Sequence, residues 1–187
     1  AKELGYYVIC VDMVDDVPGH EVADEFYNIS TTDDEAVFAL AKEKKIDGIL
    51  SYASDVSACT AAYVAEKLGL PTNPYKSVEI LTHKELFKAF MKEHGHSVAE
   101  GSAFNNKDKA RVLFEKMTLP VIIKPTDASG SKGVKKVIEK KEFDEAYDEA
   151  AAYSRTGMVM IERFIQKKGY QIDGDGFIKD GKIVFFG

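Results

Sequence analysis

The chain has 187 residues, 45% apolar and 30% charged, with a formal net charge of −6. That is enough apolar material for one or two cored domains and too much for a disordered chain. The acidic balance offers no footprint for nucleic acid or an anionic membrane surface, although a local group of lysines can still bind phosphate within an acidic whole. No secretory leader opens the sequence, no apolar run reaches the length of a membrane span, and Cys10 and Cys59 lack metal-ligand spacing. The cysteines are expected as small buried hydrophobes, and a reducing, cytoplasmic setting fits best.

Ala1–Gly5 reads as the tail of a helix stopped by Gly5. The run 6–11 (YYVICV) follows as a buried strand. A domain opening on a helix end, with a strand at 182–186 closing it, is expected to be a piece of a longer protein. After a polar loop with Pro18 and Gly19 comes a short apolar stretch, 23–29. Thr32 or Asp33 could cap a helix over 34–45, with Val37, Phe38, Leu40 and Ala41 on one face. Gly48–Ser51 reads as a short strand and 55–68 as a helix stopped by Gly69. This alternation predicts a parallel sheet with helices on both faces over residues 1–72.

Pro71 and Pro74 mark a change of region. Residues 73–187 read as an α+β unit, with helices at 77–81 and 83–93. A short strand is expected at 98–99, a helix at 107–116 and a strand at 119–124. A Gly/Ser loop over 128–133 precedes a strand at 134–138, a helix at 141–154 and a strand at 158–162. A hairpin, 170–178 with 182–186, turns at Asp180-Gly181. The overall fold class is α/β, a Rossmann-like parallel domain followed by the α+β portion.

The most informative segment is Leu119-Pro120-Val121-Ile122-Ile123-Lys124-Pro125. Its β formers predict a buried strand with an ammonium at the end, which must snorkel to water or meet an anion. Pro125 has no N–H to continue the ladder. Ser129-Gly130-Ser131-Lys132-Gly133 then offers converging backbone N–H groups and two hydroxyls, as a cradle for phosphate oxygens or as an ordinary hairpin loop. It matches neither a Walker A loop nor GxGxxG. Lys84 lies in the first turn of its helix, where it opposes the dipole and favours a nearby anion, or is simply solvated. Glu162 ends an apolar strand and leads into Arg163, Phe164 and Ile165. It is either an ion-paired carboxylate or part of a seat for a planar base. Asp12, Asp15 and Asp16 read as a solvated acidic loop, and His20, His83, His94 and His96 lack metal spacing.

The ordered stretches HKELFKAFMKEHG, LPVIIKPTDASGSKGVKKV, VMIERFI and GYQIDGDGFIKDGKI together resemble the ATP-grasp superfamily. The first 72 residues look like the domain preceding ATP-grasp in carbamoyl-phosphate synthetase, biotin carboxylase and the purine-pathway ligases. The resemblance implies that Lys84 and Lys124 contact ATP phosphates and that Ser129, Gly130, Ser131 and Gly133 cover the β- and γ-phosphates. It implies that Glu162 and the backbone of Arg163, Phe164 and Ile165 hold the adenine. Gln171 stands where the family usually has a Glu near the ribose, and Asp173 lies close by. The implied activity is ATP-dependent carboxylate–amine ligation through an acyl phosphate, with ATP and Mg2+ as cofactors and the metal ligands outside this stretch. The implied partners are a small-molecule carboxylate and an amine, with a homodimer as a compatible assembly. The acceptor substrate is expected near Asp55–Ala62, by fold analogy. The alternative is a nucleotide-binding regulatory or assembly module without catalysis.

Overall fold

The computed structural model describes residues 1–52, 54–170 and 174–187. After a 3-10 turn at Lys2–Leu4, ended by Gly5 at φ 80, strand β1 (Ile9–Asp12) pairs parallel with β2 (Glu25–Asn28). The connection between them holds a short helix, α1 (Pro18–Val22), which starts on its proline. The missing N–H of that residue is one that a first helical turn would leave unbonded in any case. Helix α2 (Asp34–Lys44) begins where the Asp33 carboxylate accepts the Ala36 N–H at 3.0 Å. Helix α3 (Asp55–Leu68) ends at Gly69, φ 69, the left-handed residue that closes a helix without a Cβ penalty. Val37, Ala41 and Val64 make the core of this part, with Val11, Phe38 and Ile49 packed against them.

The expected strand at 48–51 does not form. Ile49 goes into that small core while Leu50 stays 81% exposed. The segment follows the core without joining a ladder, and the parallel sheet among the described residues is the β1–β2 pair alone. Cys10 and Cys59 are half-buried rather than buried, and Cys59 Sγ lies 3.0 Å from Thr82 Oγ1.

Helices α4 (Tyr75–Thr82) and α5 (Lys84–Glu93) follow, joined at His83. Next come β3 (Gly101–Phe104), α6 (Lys107–Phe114), β4 (Val121–Pro125), β5 (Lys135–Val137), α7 (Phe143–Tyr153) and β6 (Val159–Arg163). The four strands form one antiparallel sheet in the order β3-β6-β4-β5. The strand expected at 98–99 starts instead at Gly101, whose backbone runs against β6 so closely that a Cβ there would sit 2.1 Å from the Ile161 carbonyl oxygen. One face of the sheet buries Val121, Ile123, Val137, Val159 and Ile161 against Ala110 and Phe114 of α6 and Phe143, Ala146 and Tyr147 of α7. Strand β4 shows the period-2 alternation of a sheet with two unlike faces: Val121, Ile123 and Pro125 are buried, while Ile122 and Lys124 are half-buried on the other side.

The chain closes with a hairpin, β7 (Gly176–Lys179) and β8 (Lys182–Phe186), turning at Asp180 (φ 51) and Gly181 (φ 71). Both positive φ values match the turn that the Asp-Gly pair favours. No helix among the described residues is long and apolar enough to cross a membrane.

Candidate nucleotide-binding site

Register places the key side chains. Lys124 stands opposite Met160, and Ile122 opposite Glu162, across the β4–β6 ladder. Opposed residues share a face, so Lys124 and Glu162 are diagonal neighbours on the face turned away from α6 and α7. Helix α5 crosses that face. Its first residue, Lys84, and Lys88 one turn later point the same way, as i, i+4 positions must. Together Lys84, Lys88, Lys124, Glu162, Phe87 and Val98 border a cleft of about 270 Å3.

The charges in this cleft are interlocked. Lys124 donates to Glu162 Oε1, and Lys88 donates to Glu162 Oε2 at 3.1 Å. Lys88 and Glu162 side chains are each 15% exposed. Burial alone pushes the Glu162 carboxyl up, but Lys124 and then Lys88 outweigh it, and the group is held below the usual carboxylate value. Lys84 has a different partner set. Its Nζ donates to the carbonyl of Ala128 at 2.6 Å and lies 3.4 Å from that of Thr126, while its backbone N–H donates to the Thr126 carbonyl at 3.0 Å. Burial first, and the nearby Lys124 ammonium second, pull the Lys84 pKa down. An ammonium bonded only to carbonyls beside a second ammonium is the arrangement an incoming anion relieves.

Lys84 therefore grips the turn from which the Ser129–Gly133 loop departs. Three residues of that loop, Gly130 (φ 65), Ser131 (φ 58) and Gly133 (φ 66), take left-handed backbone, which reverses the direction of successive N–H groups. Lys132 is exposed. Behind the loop, Asp127 is buried with a side chain only 1% exposed. Its carboxylate accepts the Ser154 hydroxyl at 2.8 Å and the Thr156 N–H at 2.9 Å, and its carbonyl accepts Arg155 Nη2 at 2.9 Å. These bonds tie the loop base to the exit of α7.

Residues 83–172 match the family model described as carbamoyl-phosphate synthase L chain, ATP binding domain. The chain is similar to ATP-grasp proteins over most of its length. It is 27% identical to a formate-dependent phosphoribosylglycinamide formyltransferase of Rhodococcus jostii, with 88% of this chain and 42% of that protein covered. It is 25% identical to a carbamoyl phosphate synthase large chain of Methanobrevibacter smithii, covering 89% of this chain and 16% of that one. Among solved structures, the biotin carboxylase domain of the Hydrogenobacter thermophilus 2-oxoglutarate carboxylase, crystallised with MgADP, ADP and bicarbonate, superposes with a TM-score of 0.65 at 23% identity. That superposition covers 88% of this chain and 40% of that one, and it bears on the fold alone. The chain thus spans about two-fifths of the length of the formyltransferase relative.

The residues singled out from sequence fall into two groups. Lys84, Lys124 and Glu162 meet in one cleft, and Lys84 joins them to the loop of Ser129, Gly130, Ser131 and Gly133. Arg163, Phe164 and Ile165 instead line a neighbouring concavity of about 970 Å3, which shares Val98 and Ala99 with the first. In that segment the Arg163 N–H donates to the Glu100 carbonyl (2.7 Å) and the Phe164 N–H to that of Pro120 (3.1 Å). Among the described residues no such acceptor pairs with the Ile165 N–H. Lys136 Nζ sits 3.9 Å from the centroid of the Phe164 ring. Gln171 and Asp173 lie outside the described residues. Of the two sequence readings of Glu162 the structure shows the ion-paired carboxylate, which also faces the cleft. Lys88 was missed. Its signal was the i, i+4 spacing from Lys84, hidden because a lysine on a charged helix ordinarily faces water.

Proposed function

We propose that this chain is the ATP-binding portion of an ATP-dependent carboxylate–amine ligase. The reading is carried by Lys84, Lys124 and Glu162 meeting in one cleft at the foot of the Ser129–Gly133 loop, inside the segment that matches an ATP-binding domain family. In this reading Lys84 and Lys124 bind phosphate oxygens and the loop N–H groups of Ser129, Gly130, Ser131 and Gly133 close over them. Glu162 and the backbone of Arg163–Ile165 seat the base, with Ile165 N–H as its donor, and Gln171 serves the ribose. Residues 1–72 form the preceding domain and residues 73–187 the nucleotide-binding one, with the acceptor substrate near Asp55–Ala62.

The reaction assigned is transfer of the γ-phosphoryl group to a small carboxylate. A carboxylate oxygen forms a bond to γ-phosphorus as the β–γ bridge breaks and ADP leaves. An amine then attacks the acyl carbon, a proton is lost and phosphate departs. Magnesium would supply charge neutralisation for the triphosphate. Among the described residues no group of three or more His, Cys, Asp or Glu could hold a metal ion. The residues described here do not fit that role, and its ligands are expected elsewhere in the protein.

The test is a titration of the full-length protein with ATP and magnesium, followed by thermal unfolding. Saturation to about 100 times Kd is expected to add about 2.7 kcal/mol and raise Tm by several degrees. Lys124→Ala should abolish the shift, and Lys132→Ala should reduce it less. Equal shifts in wild type and Lys124→Ala would overturn the phosphate role. ADP release with a panel of small acids and amines is then expected, and nucleotide binding without it would leave a regulatory module.

A further inference from the structure

Three ammonium groups and one carboxylate share the cleft, and the carboxylate is bonded twice: Lys124 on Glu162 Oε1 and Lys88 on Oε2. Resting on the reading above, a bound triphosphate would draw Lys124 away from Glu162, because a phosphate oxygen is the stronger and more highly charged partner. Glu162 is 15% exposed, and a carboxylate so placed is costly to leave without a cation. Lys88 is the group that remains. Its stem runs over β6, where Nζ lies 3.8 Å from Met160 Sδ, and its other polar contact is Glu162. One turn before it on the same helix face, Lys84 makes no bond to Glu162: it is bonded to the Ala128 carbonyl and, in the reading above, is itself engaged by the phosphates.

We propose that Lys88 is a positioning residue for base recognition: it keeps Glu162 ionised and aimed into the cleft when Lys124 turns to the phosphates. An ionised Glu162 accepts hydrogen bonds and donates none, so it favours a base with an exocyclic amino group over one with a carbonyl at that position. Lys88 thereby sets the preference for adenine over hypoxanthine nucleotides without touching either.

The experiment measures affinities of the full-length protein for ATP and inosine triphosphate, in wild type, Lys88→Met, Lys88→Arg and Glu162→Gln. Lys88→Met keeps the apolar stem over Met160 and removes the charge. It is expected to weaken ATP by about tenfold, the scale of one charge-assisted hydrogen bond, and inosine triphosphate much less. The ATP preference therefore shrinks several-fold, and Lys88→Arg restores it. If Lys88→Met weakens both nucleotides equally, Lys88 meets the phosphates itself and the proposal is wrong. If it changes neither while Glu162→Gln erases the preference, the proposal fails and the base role of Glu162 stands. If Glu162→Gln leaves the preference intact, the underlying assignment of Glu162 fails as well.

Discussion

Asp127 shows how much a single side chain can hold in place. Its carboxyl is pushed up by burial but brought below the ordinary value by the Ser154 hydroxyl, the Thr156 backbone and side chain, and Arg155. Asp127→Ala would leave the Thr156 N–H and Ser154 hydroxyl without their acceptor, which should cost about 1–3 kcal/mol in urea unfolding. Thr126, next to it and also fully buried, makes a control: its hydroxyl has no partner among the described residues, so Thr126→Val is expected to be neutral or mildly stabilising. A Thr126→Val loss as large as that of Asp127→Ala would show that volume, not hydrogen bonding, fixes this turn. None of this was visible beforehand. An aspartate after Lys-Pro-Thr reads as a turn former, and its partners come from 154–156, far along the chain. Lys124 and Glu162 were legible because each ends an apolar strand, where a charge must have a reason to be.

At the level of elements, three strands of the antiparallel sheet, β4, β5 and β6, were readable because they alternate or run apolar between glycines and prolines. Helix α3 was readable to the residue because Gly69 stops it. Strand β3 was misplaced because its start is set by contact rather than composition. Gly101 lies against the backbone of Ile161 and Glu162, and its φ of 152 suits few other residues. Gly101→Ala should therefore cost about 3 kcal/mol or more and displace the strand carrying Glu162. Gly130→Ala, at φ 65 with nothing within 4 Å of the added methyl, should cost only about 1 kcal/mol of backbone strain. Thermal unfolding of the two variants gives the comparison, and equal losses would refute the close-approach account of β3. The parallel part was over-read, since Gly48–Ser51 has strand composition but spends Ile49 on packing.

At the scale of the whole molecule, several surface carboxylates are held low by hydrogen bonds and ion pairs. Glu25 is held at about 2 by hydrogen bonds from Lys44, Tyr27 and Tyr7. Asp24, Glu142 and Asp144 are also lowered, by Lys2, by the Glu139 and Ile138 N–H groups, and by Arg111 with Lys107 respectively. A folded pKa below the unfolded one adds stability above the unfolded value and loses it on acidification. The urea midpoint is thus expected to be flat near neutrality and to fall as pH drops from about 4.5 towards 2, more shallowly in high salt because these groups are exposed. A midpoint unchanged at pH 3 would contradict the pairing. The hairpin of β7 and β8 carries a different sort of burden. Phe177, Ile178, Ile183, Val184, Phe185 and Phe186 are each 60% exposed or more, on a two-stranded ribbon that no third strand joins among the described residues. A ribbon like that is a template for its own kind, so the chain handled by itself is a poor candidate for storage at high concentration, and charged residues grafted onto Val184 and Phe186 would keep it dispersed.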